Sequence, residues 1–460
     1  MHFSKYCFAA LLITSSLAGC RKYVEEVPIQ GQRVLVYTED YRLLMNNTDQ
    51  QEGAYGVAPI LSCDDAELSA PEIQNNLRNN QIQSNMYSWK KPFYVDQQTD
   101  NDWNSLYAGI YVYNIVINGV KDSKGGDDIR KNTILGEAHL HRAFTYFMLV
   151  NLYSKQYDAA TASTDLGVPI LLKPVLFVDL TRPSVQAVYD QILLDIRQAI
   201  NLLPNTQEVN FKPNKAAAYA LLSKFHLNKR EFTQAAAFAD SCLAIRNELY
   251  DYNLAVATNP FTFPTQFLDK QVILRKVPRQ LYNTLQLSPS LLTLLGTKDL
   301  RYELFVKPGT NYFPSYTGFG FWSRERYSGG NDKPAVGLTV NDTWLIKAEC
   351  LARAGSKDEA VTMLNTLRKF RFRPADYADL SAATADEALQ MVIDERRREF
   401  FGGGMRWFDQ RRLNKDPQFA VTQTRNFNGG TFTLEPDSDA YVFPLANLLI
   451  AQNPEMKQNP

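Results

Sequence analysis

A run of three glycines separates two amphipathic segments in residues 392–413, VIDERRREFFGGGMRWFDQRRL. Apolar residues such as Val392 and Phe400 recur at helical spacing, which predicts a helix before the glycines. A helix commonly ends where glycine supplies a left-handed residue, and a second amphipathic piece, Arg406 to Leu413, begins immediately afterwards. We therefore expect a helix, a tight corner and a second helix.

The glycine run lacks the features of a phosphate-binding loop. No Lys-Ser/Thr pair follows the glycines and no strand pattern precedes them, although both belong to that motif. Arginines on such a helix usually pair with neighbouring carboxylates and cap carbonyl groups. We interpret the stretch as a structural corner rather than a binding site.

Residues 1–19 have the pattern of an export signal. Lys5 supplies a positive charge, and residues 6–17 form a mostly apolar run that is too short to span a bilayer stably. The ending Leu-Ala-Gly-Cys resembles a bacterial lipobox, which implies cleavage before Cys20 and acylation of that cysteine. We expect a protein held at a membrane by lipid.

The chain after the signal reads as a polar tether over residues 20–33 and a folded domain over residues 34–460. With 45% hydrophobic residues and a net charge of zero, the chain can bury a large core. Neutrality argues against nucleic acid as a partner. The remaining cysteines, Cys63, Cys242 and Cys350, are odd in number and lack metal-ligand spacing, so no disulfide framework, metal site or cofactor is expected.

Two patterns resemble metal-binding motifs but lack residues or spacing that those motifs require. Asp100, Asp102 and Asn104 resemble the start of a calcium loop, but Ser105 replaces the required glycine, and we expect an aspartate here to cap a helix. His139 and His141 lie two residues apart, which places them on different faces of a helix.

Helical periodicity recurs through most of the chain. The predicted helices are Trp103–Val120, Leu135–Tyr153, Val185–Leu203, Lys215–Leu227, Glu231–Arg246, Val340–Arg353 and Asp358–Arg371. Small alanines allow close packing of the hairpin at residues 215–246, which is tetratricopeptide-like, and residues 340–371 form a similar hairpin. The fold class is therefore mainly all-α, with tetratricopeptide-like helices over about residues 103–250 and 338–415.

Two segments, residues 60–100 and 250–337, break this pattern with Pro, Gly, Asn and clustered aromatic residues. We interpret both as loop-rich. Long irregular insertions are uncommon in compact helical proteins without a functional reason, so these segments are the expected ligand face.

Many motifs, taken in order, resemble the SusD/RagB family of outer-membrane nutrient-binding lipoproteins. The matching residues are the lipobox at Cys20, Trp103-Asn-Ser-Leu-Tyr107 with Asn114, Arg142-Ala143-Phe-Thr-Tyr146-Phe147, Gly167-Val-Pro169, Arg182-Pro183, Lys347-Ala348-Glu349, Glu395-Arg396-Arg397, Arg406-Trp407-Phe408-Asp409 and Tyr441-Val-Phe443-Pro444. One departure is Gly402-Gly403-Gly404, where the family often has Gly-Glu-Gly.

The resemblance implies a SusD-like fold with four tetratricopeptide-like helix pairs, docked as a lid on a SusC-type TonB-dependent outer-membrane transporter. It implies no catalysis. The leading hypothesis is a cell-surface lipoprotein that captures an oligosaccharide and delivers it to that transporter. Sugars stack their C–H faces on aromatic rings and bond through their hydroxyl groups. The candidate ligand residues are Asp64, Asp65, Tyr87, Trp89, Tyr316, Trp322, Arg324 and Tyr327.

Two alternatives keep the fold and the anchor. A peptide ligand, as in the RagB branch, would bind through backbone hydrogen bonds and pockets. An assembly adaptor would instead use tetratricopeptide-like surfaces to hold other proteins. A glycosidase would need two carboxylates flanking a sugar, but Asp394, Glu395 and Glu399 lie among arginines, and we expect them to form a salt-bridged surface.

Overall fold

The computed structural model describes residues 35–257, 263–325 and 332–460. The predicted signal peptide, the lipidation site Cys20, the tether and the ligand candidate Tyr327 lie outside these ranges and stay predictions. Within the described ranges, no helix combines the length and the apolar composition that a bilayer-spanning segment requires.

The α-helices of the described residues are numbered in chain order. They are α1 (Thr38–Met45), α2 (Thr48–Glu52), α3 (Ala58–Ser62), α4 (Pro71–Arg78), α5 (Gln81–Tyr87), α6 (Asn101–Gly119), α7 (Asp128–Tyr153), α8 (Val185–Leu202), α9 (Lys215–Asn228), α10 (Phe232–Leu243), α11 (Tyr252–Ala257), α12 (Pro289–Leu295), α13 (Leu300–Phe305), α14 (Val340–Arg353), α15 (Lys357–Lys369), α16 (Ala385–Phe400), α17 (Met405–Leu413) and α18 (Asn447–Gln452).

Short strands form three antiparallel pairs in the described part of the chain. The strands are β1 (Val272–Leu274), β2 (Val306–Pro308), β3 (Gly320–Trp322), β4 (Leu338–Thr339), β5 (Gln423–Phe427) and β6 (Gly430–Leu434). β1 pairs with β4, β2 with β3, and β5 with β6. None of these pairs forms a sheet large enough to organise a core, so the molecule is mainly helical.

Eight long helices, α6 to α10 and α14 to α16, pack in chain order, each on the next. The two predicted hairpins are α9 with α10 and α14 with α15, and residues 244–339 are inserted between α10 and α14. The predicted helices are confirmed, with ends shifted by up to seven residues. The tetratricopeptide-like class is confirmed too, and the insertion explains why the two predicted hairpins lie far apart in the sequence.

Side chains at the predicted helix starts satisfy the first backbone N–H groups. The carboxylate of Asp100 accepts hydrogen bonds from the N–H groups of Asp102, at 2.8 Å, and Trp103, at 3.2 Å. The calcium-like pattern is therefore a helix cap, as expected. Ser184 and Thr339 cap α8 and α14 in the same way.

The loop-rich interpretation of the two irregular segments is partly wrong. α4 and α5 lie within residues 60–100, and α11, α12 and α13 lie within residues 250–337. Each has eight residues or fewer, which is too short for a periodic pattern to stand out, and such helices depend on tertiary packing. Tyr87, predicted in a loop, is the last residue of α5.

Backbone hydrogen bonds nevertheless join the two segments. The N–H of Glu67, in the first segment, donates to the carbonyl of Gln286 in the second at 3.1 Å, and the N–H of Ser288 donates to the carbonyl of Asp65 at 2.8 Å. Within the second segment, the N–H of Leu287 donates to the carbonyl of Gly320 at 2.9 Å. Their role as a ligand face stays a prediction.

The glycine corner is confirmed between α16 and α17. Gly402 and Gly404 have φ angles of 82° and 88°, which side-chain-bearing residues rarely adopt. A Cβ on Gly402 would also lie 2.2 Å from Nε1 of Trp322. The corner therefore needs glycine both for its backbone and for the packing of the insertion against it.

Candidate functional site: a groove beside the helix corner

The inward side chains of the corner form a set of buried ion pairs that we call the ionic hub. Arg396 bonds Asp342 at 3.0 Å and Asp409 at 3.2 Å. Arg412 bonds Glu349 at 2.6 Å. The predicted pairing of the corner arginines is confirmed, and it joins α14, α16 and α17.

The hub continues through two carboxylates of α16. Arg301 bonds Glu395 and Glu399, each at 2.7 Å, and Arg371 also bonds Glu399, at 2.5 Å. Burial alone would raise the pKa of Glu399, but Arg371 and Arg301 outweigh it and lower that pKa to about 2. The expected salt bridges exist for Glu395 and Glu399, but the expectation of a surface is wrong for both, because their side chains are fully buried. Asp394 instead accepts a hydrogen bond from Gln390 at 3.0 Å.

On the outward side of the same corner, two arginines bind consecutive aspartates from the segment after α3. Arg406 holds both carboxylate oxygens of Asp64, at 2.8 and 2.9 Å. Arg397 donates to Asp65 at 2.8 Å and to the carbonyl of Asp64 at 3.1 Å. Burial opposes the charge on Asp64, but Arg406 and Arg397 prevail and lower the pKa of Asp64 to about 2.

This triad of Asp64, Arg397 and Arg406 lines an open groove of about 370 Å³. Most of its other polar side chains are amides, and two of its lining residues, Phe419 and Tyr441, are aromatic. The remaining lining residues are Ser290, Gln390, Ile393, Asp394, Gln410, Leu413, Asn414, Gln418, Phe419, Val421, Gln423 and Tyr441. The triad and Asp394 together carry two positive and two negative charges, so the groove suits a polar ligand without strong charge.

Of the predicted ligand residues, the structure brings Asp64 to the groove and places Asp65 directly behind it. Tyr87 and Trp89 lie in the core, on either side of Arg425, whose guanidinium carbon is 4.3 Å from each ring centroid. Nε1 of Trp89 donates to the carbonyl of Ser62 at 2.9 Å. Both rings are covered by protein in this structure.

The remaining predicted residues lie in the insertion. Tyr316 is buried and its hydroxyl donates to Glu72 of α4. Trp322 belongs to β3, is 4% exposed and borders a cavity of about 80 Å³. Arg324 is half-buried just after β3. Their roles as ligand contacts stay predictions, but Tyr316 and Trp322 are buried and cannot stack on a sugar in this structure.

Sequence reasoning did not identify the amide side chains of the groove. Gln418 and Gln423 follow α17 in a segment without a recognisable motif, and they reach Asp64 only through the fold. Phe419, half-buried in the same segment, was missed for the same reason. A search for partners of the corner arginines could have indicated the right face, but not these residues.

The architecture defines the class of the protein: a tetratricopeptide-like helical scaffold with a long insertion and an open polar groove. A family model described as starch-binding associating with outer membrane matches residues 47–227. The SusD family model matches residues 326–460. The chain belongs to the SusD/RagB family.

Relatives and solved structures agree with this assignment. The chain is 23% identical to SusD-like protein P38 of Formosa agariphila over 423 residues, which is 78% of each protein. It superposes on a SusD superfamily protein from Bacteroides thetaiotaomicron with a TM-score of 0.73 at 20% identity, covering 92% of this chain and 100% of the other. A SusD-like carbohydrate binding protein from Bacteroides vulgatus gives a TM-score of 0.67 at 18% identity, covering 92% and 97%.

Proposed function

We propose that the protein binds an oligosaccharide in the groove beside the helix corner and delivers it to a SusC-type TonB-dependent outer-membrane transporter. The groove itself carries this proposal. The groove is open, and its lining contains five amide side chains together with the triad of Asp64, Arg397 and Arg406.

The chemistry of the lining matches a neutral polyol. The amides of Gln390, Gln418 and Gln423 offer both donors and acceptors, as sugar hydroxyl groups require. Phe419, which is half-buried, supplies an apolar face for the C–H groups of a sugar ring. A few placed polar groups among apolar walls are typical of small-molecule sites.

The triad also fixes the geometry before a ligand arrives. Both oxygens of Asp64 are held by Arg406, and the N–H of Asp64 donates to the side-chain oxygen of Gln410 at 3.3 Å. Arg397 is held by Asp65 and by Ser290 at 3.1 Å. Groups held in this way lose little conformational entropy on binding, which favours affinity.

Family membership supports the location and the type of ligand. The matching model describes starch binding in association with the outer membrane, and one structural neighbour is named as a carbohydrate binding protein. The lipobox pattern at Cys20 agrees with a lipid anchor, followed by a polar tether that would hold the domain at the cell surface.

An exposed apolar loop supports a protein partner. Val175, Leu176 and Phe177 are 50%, 69% and 104% exposed. The loop is fixed next to α6, where the side chain of Asn118 donates to the carbonyl of Leu172 at 3.1 Å. Contiguous exposed apolar residues commonly mark protein interfaces, and in this proposal the loop contacts the transporter.

The proposal includes no catalysis. Glycoside hydrolysis uses one carboxyl group that can donate a proton and a second carboxylate across the sugar. Asp64 is held ionised by Arg406 and Arg397, and Glu395 and Glu399 are sealed in the ionic hub. These carboxylates act as structural anions.

Calorimetry of the mature chain against soluble glycans and peptides tests the proposal. We expect saturable binding of at least one glycan and none of the peptides. Binding of peptides alone would favour the RagB-type alternative. Binding of neither, with protein partners retained from the same cells, would favour the adaptor and contradict glycan capture.

A further inference from the structure

A second polar chamber lies behind the groove and shares Asn414 and Tyr441 with it. It has a volume of about 190 Å³, which is room for roughly six water molecules or one small organic molecule. Its walls come from residues 155–165 after α7, from α17 and the residues after it, and from residues 437–442.

Arg411 lies in the wall of this chamber and is 2% exposed. One terminal nitrogen, Nη2, donates to the carbonyl of Ser154. Nε and Nη1 have no hydrogen-bond partner among the described residues. No carboxylate of the described chain lies within salt-bridge distance of this guanidinium, in contrast to its neighbour Arg412, which bonds Glu349 and Asp409.

The carboxylates around the chamber are engaged by groups other than Arg411, and one of them, Asp165, accepts a hydrogen bond from the hydroxyl of Thr161 at 2.6 Å. Lys415 bridges Asp158 at 3.2 Å and Asp437 at 2.6 Å. Lys155 pairs with Asp439 at 3.4 Å. Arg411 is therefore the cation of this chamber that lacks a direct counter-ion, although burial is expensive for an unpaired charge.

Three further side-chain groups of the chamber have no hydrogen-bond partner among the described residues. They are the side-chain oxygen of Gln156, the hydroxyl of Ser438 and the side-chain nitrogen of Asn414. A ligand that satisfies this set needs an anionic oxygen for Arg411 and a hydrogen-bond donor for Gln156. Burial lowers the pKa of Arg411 to about 10, so the guanidinium is still charged at neutral pH.

We propose that the chamber binds a small carboxylate that carries a hydroxyl group next to its carboxylate group. The carboxylate accepts hydrogen bonds from Arg411, and the hydroxyl donates to Gln156. The aspartates around the rim disfavour multiply charged anions such as phosphate. This site adjoins the glycan groove at Asn414 and Tyr441, but its proposed ligand does not depend on the function of the groove.

Calorimetry with lactate and glycolate tests the site, with lactamide and glycolamide as neutral counterparts. We expect saturable binding of a carboxylate, at least about tenfold tighter than its neutral counterpart. Thermal unfolding should also shift upward with the carboxylate and not with the neutral molecule.

Two variants locate the binding. Ser438→Leu fills the chamber while keeping Arg411, and Arg411→Met removes the cation; both should abolish carboxylate binding. Ser241→Leu on α10, away from the chamber, is the matched control and should bind normally. Glycan binding in the groove should survive Ser438→Leu. Absence of saturable carboxylate binding, or binding that persists in Ser438→Leu, would mean that the chamber holds only water.

Discussion

The two faces of the helix corner use the same residue types for different purposes. Inward, the side chains of Arg396 and Arg412 are 3% and 4% exposed and are fully paired. Outward, Arg397 and Arg406 are 12% and 17% exposed and line an open groove. Arg396 and Arg397 are consecutive in α16, yet the first is a buried structural residue and the second lines the open groove.

Burial, rather than ion pairing, separates the structural arginines from those that line the groove. Every one of these arginines holds a carboxylate, so the presence of a salt bridge does not identify a structural residue. Only the outward pairs border a cavity large enough for a ligand. The hub should therefore govern stability, and the groove should govern binding.

The largest effect is expected in the hub. Arg412→Met leaves Glu349 buried with Arg353 as its remaining arginine, and should lower the free energy of unfolding by about 3–5 kcal/mol. Arg406→Met, on the groove side, should lower the free energy of unfolding by clearly less. Asp64 is partly exposed and still pairs with Arg397 in that variant. Urea unfolding of both variants measures the difference, and equal losses would contradict the distinction.

Trp89→Ala should act on stability as well. Because the ring is 6% exposed and packs on Arg425, its removal should lower the free energy of unfolding by about 3 kcal/mol. Glycan affinity, measured by calorimetry at a temperature where the variant is folded, should change little. A loss of glycan affinity without a loss of stability would contradict this prediction and would indicate that Trp89 contacts the ligand.

Acid should weaken the hub. The pKa of Glu399 is about 2 in the folded protein, below its usual unfolded value, so its stabilisation is complete above about pH 4.3 and is lost as pH falls towards 2. This contributes about 3 kcal/mol to the acid dependence of the free energy of unfolding. Glu399→Gln should flatten the unfolding free energy measured between pH 5 and pH 2.5, relative to the unmutated chain. An unchanged slope would mean that other carboxylates dominate.

Local signals were sufficient for much of the fold. The helices around Trp103, Val185 and Val340, the cap at Asp100 and the glycine corner all depend on residues close together in the sequence. The sequence predicts that the corner arginines pair with carboxylates. It does not identify the partners Asp342, Glu349 and Asp64, because these residues lie in distant segments of the chain.

The candidate site was less predictable for a related reason. Tyr87 and Tyr316 were chosen for their aromatic character, which suits sugar stacking and core packing equally, and the structure buries both. Gln418 and Gln423 carry no local signal, yet they border the groove with Asp64. Convergence of segments more than three hundred residues apart is a property of the fold and not of any motif.

The most direct test of glycan capture in the groove is calorimetry of the double variant Gln418→Ala/Phe419→Ala, with the best glycan from the panel. Leu194→Ala/Gln198→Ala, on the exposed side of α8, is the matched control. We predict that affinity falls at least about tenfold in the groove variant, with little change in unfolding temperature, and is unchanged in the control. Unchanged affinity in the groove variant would show that the glycan binds elsewhere.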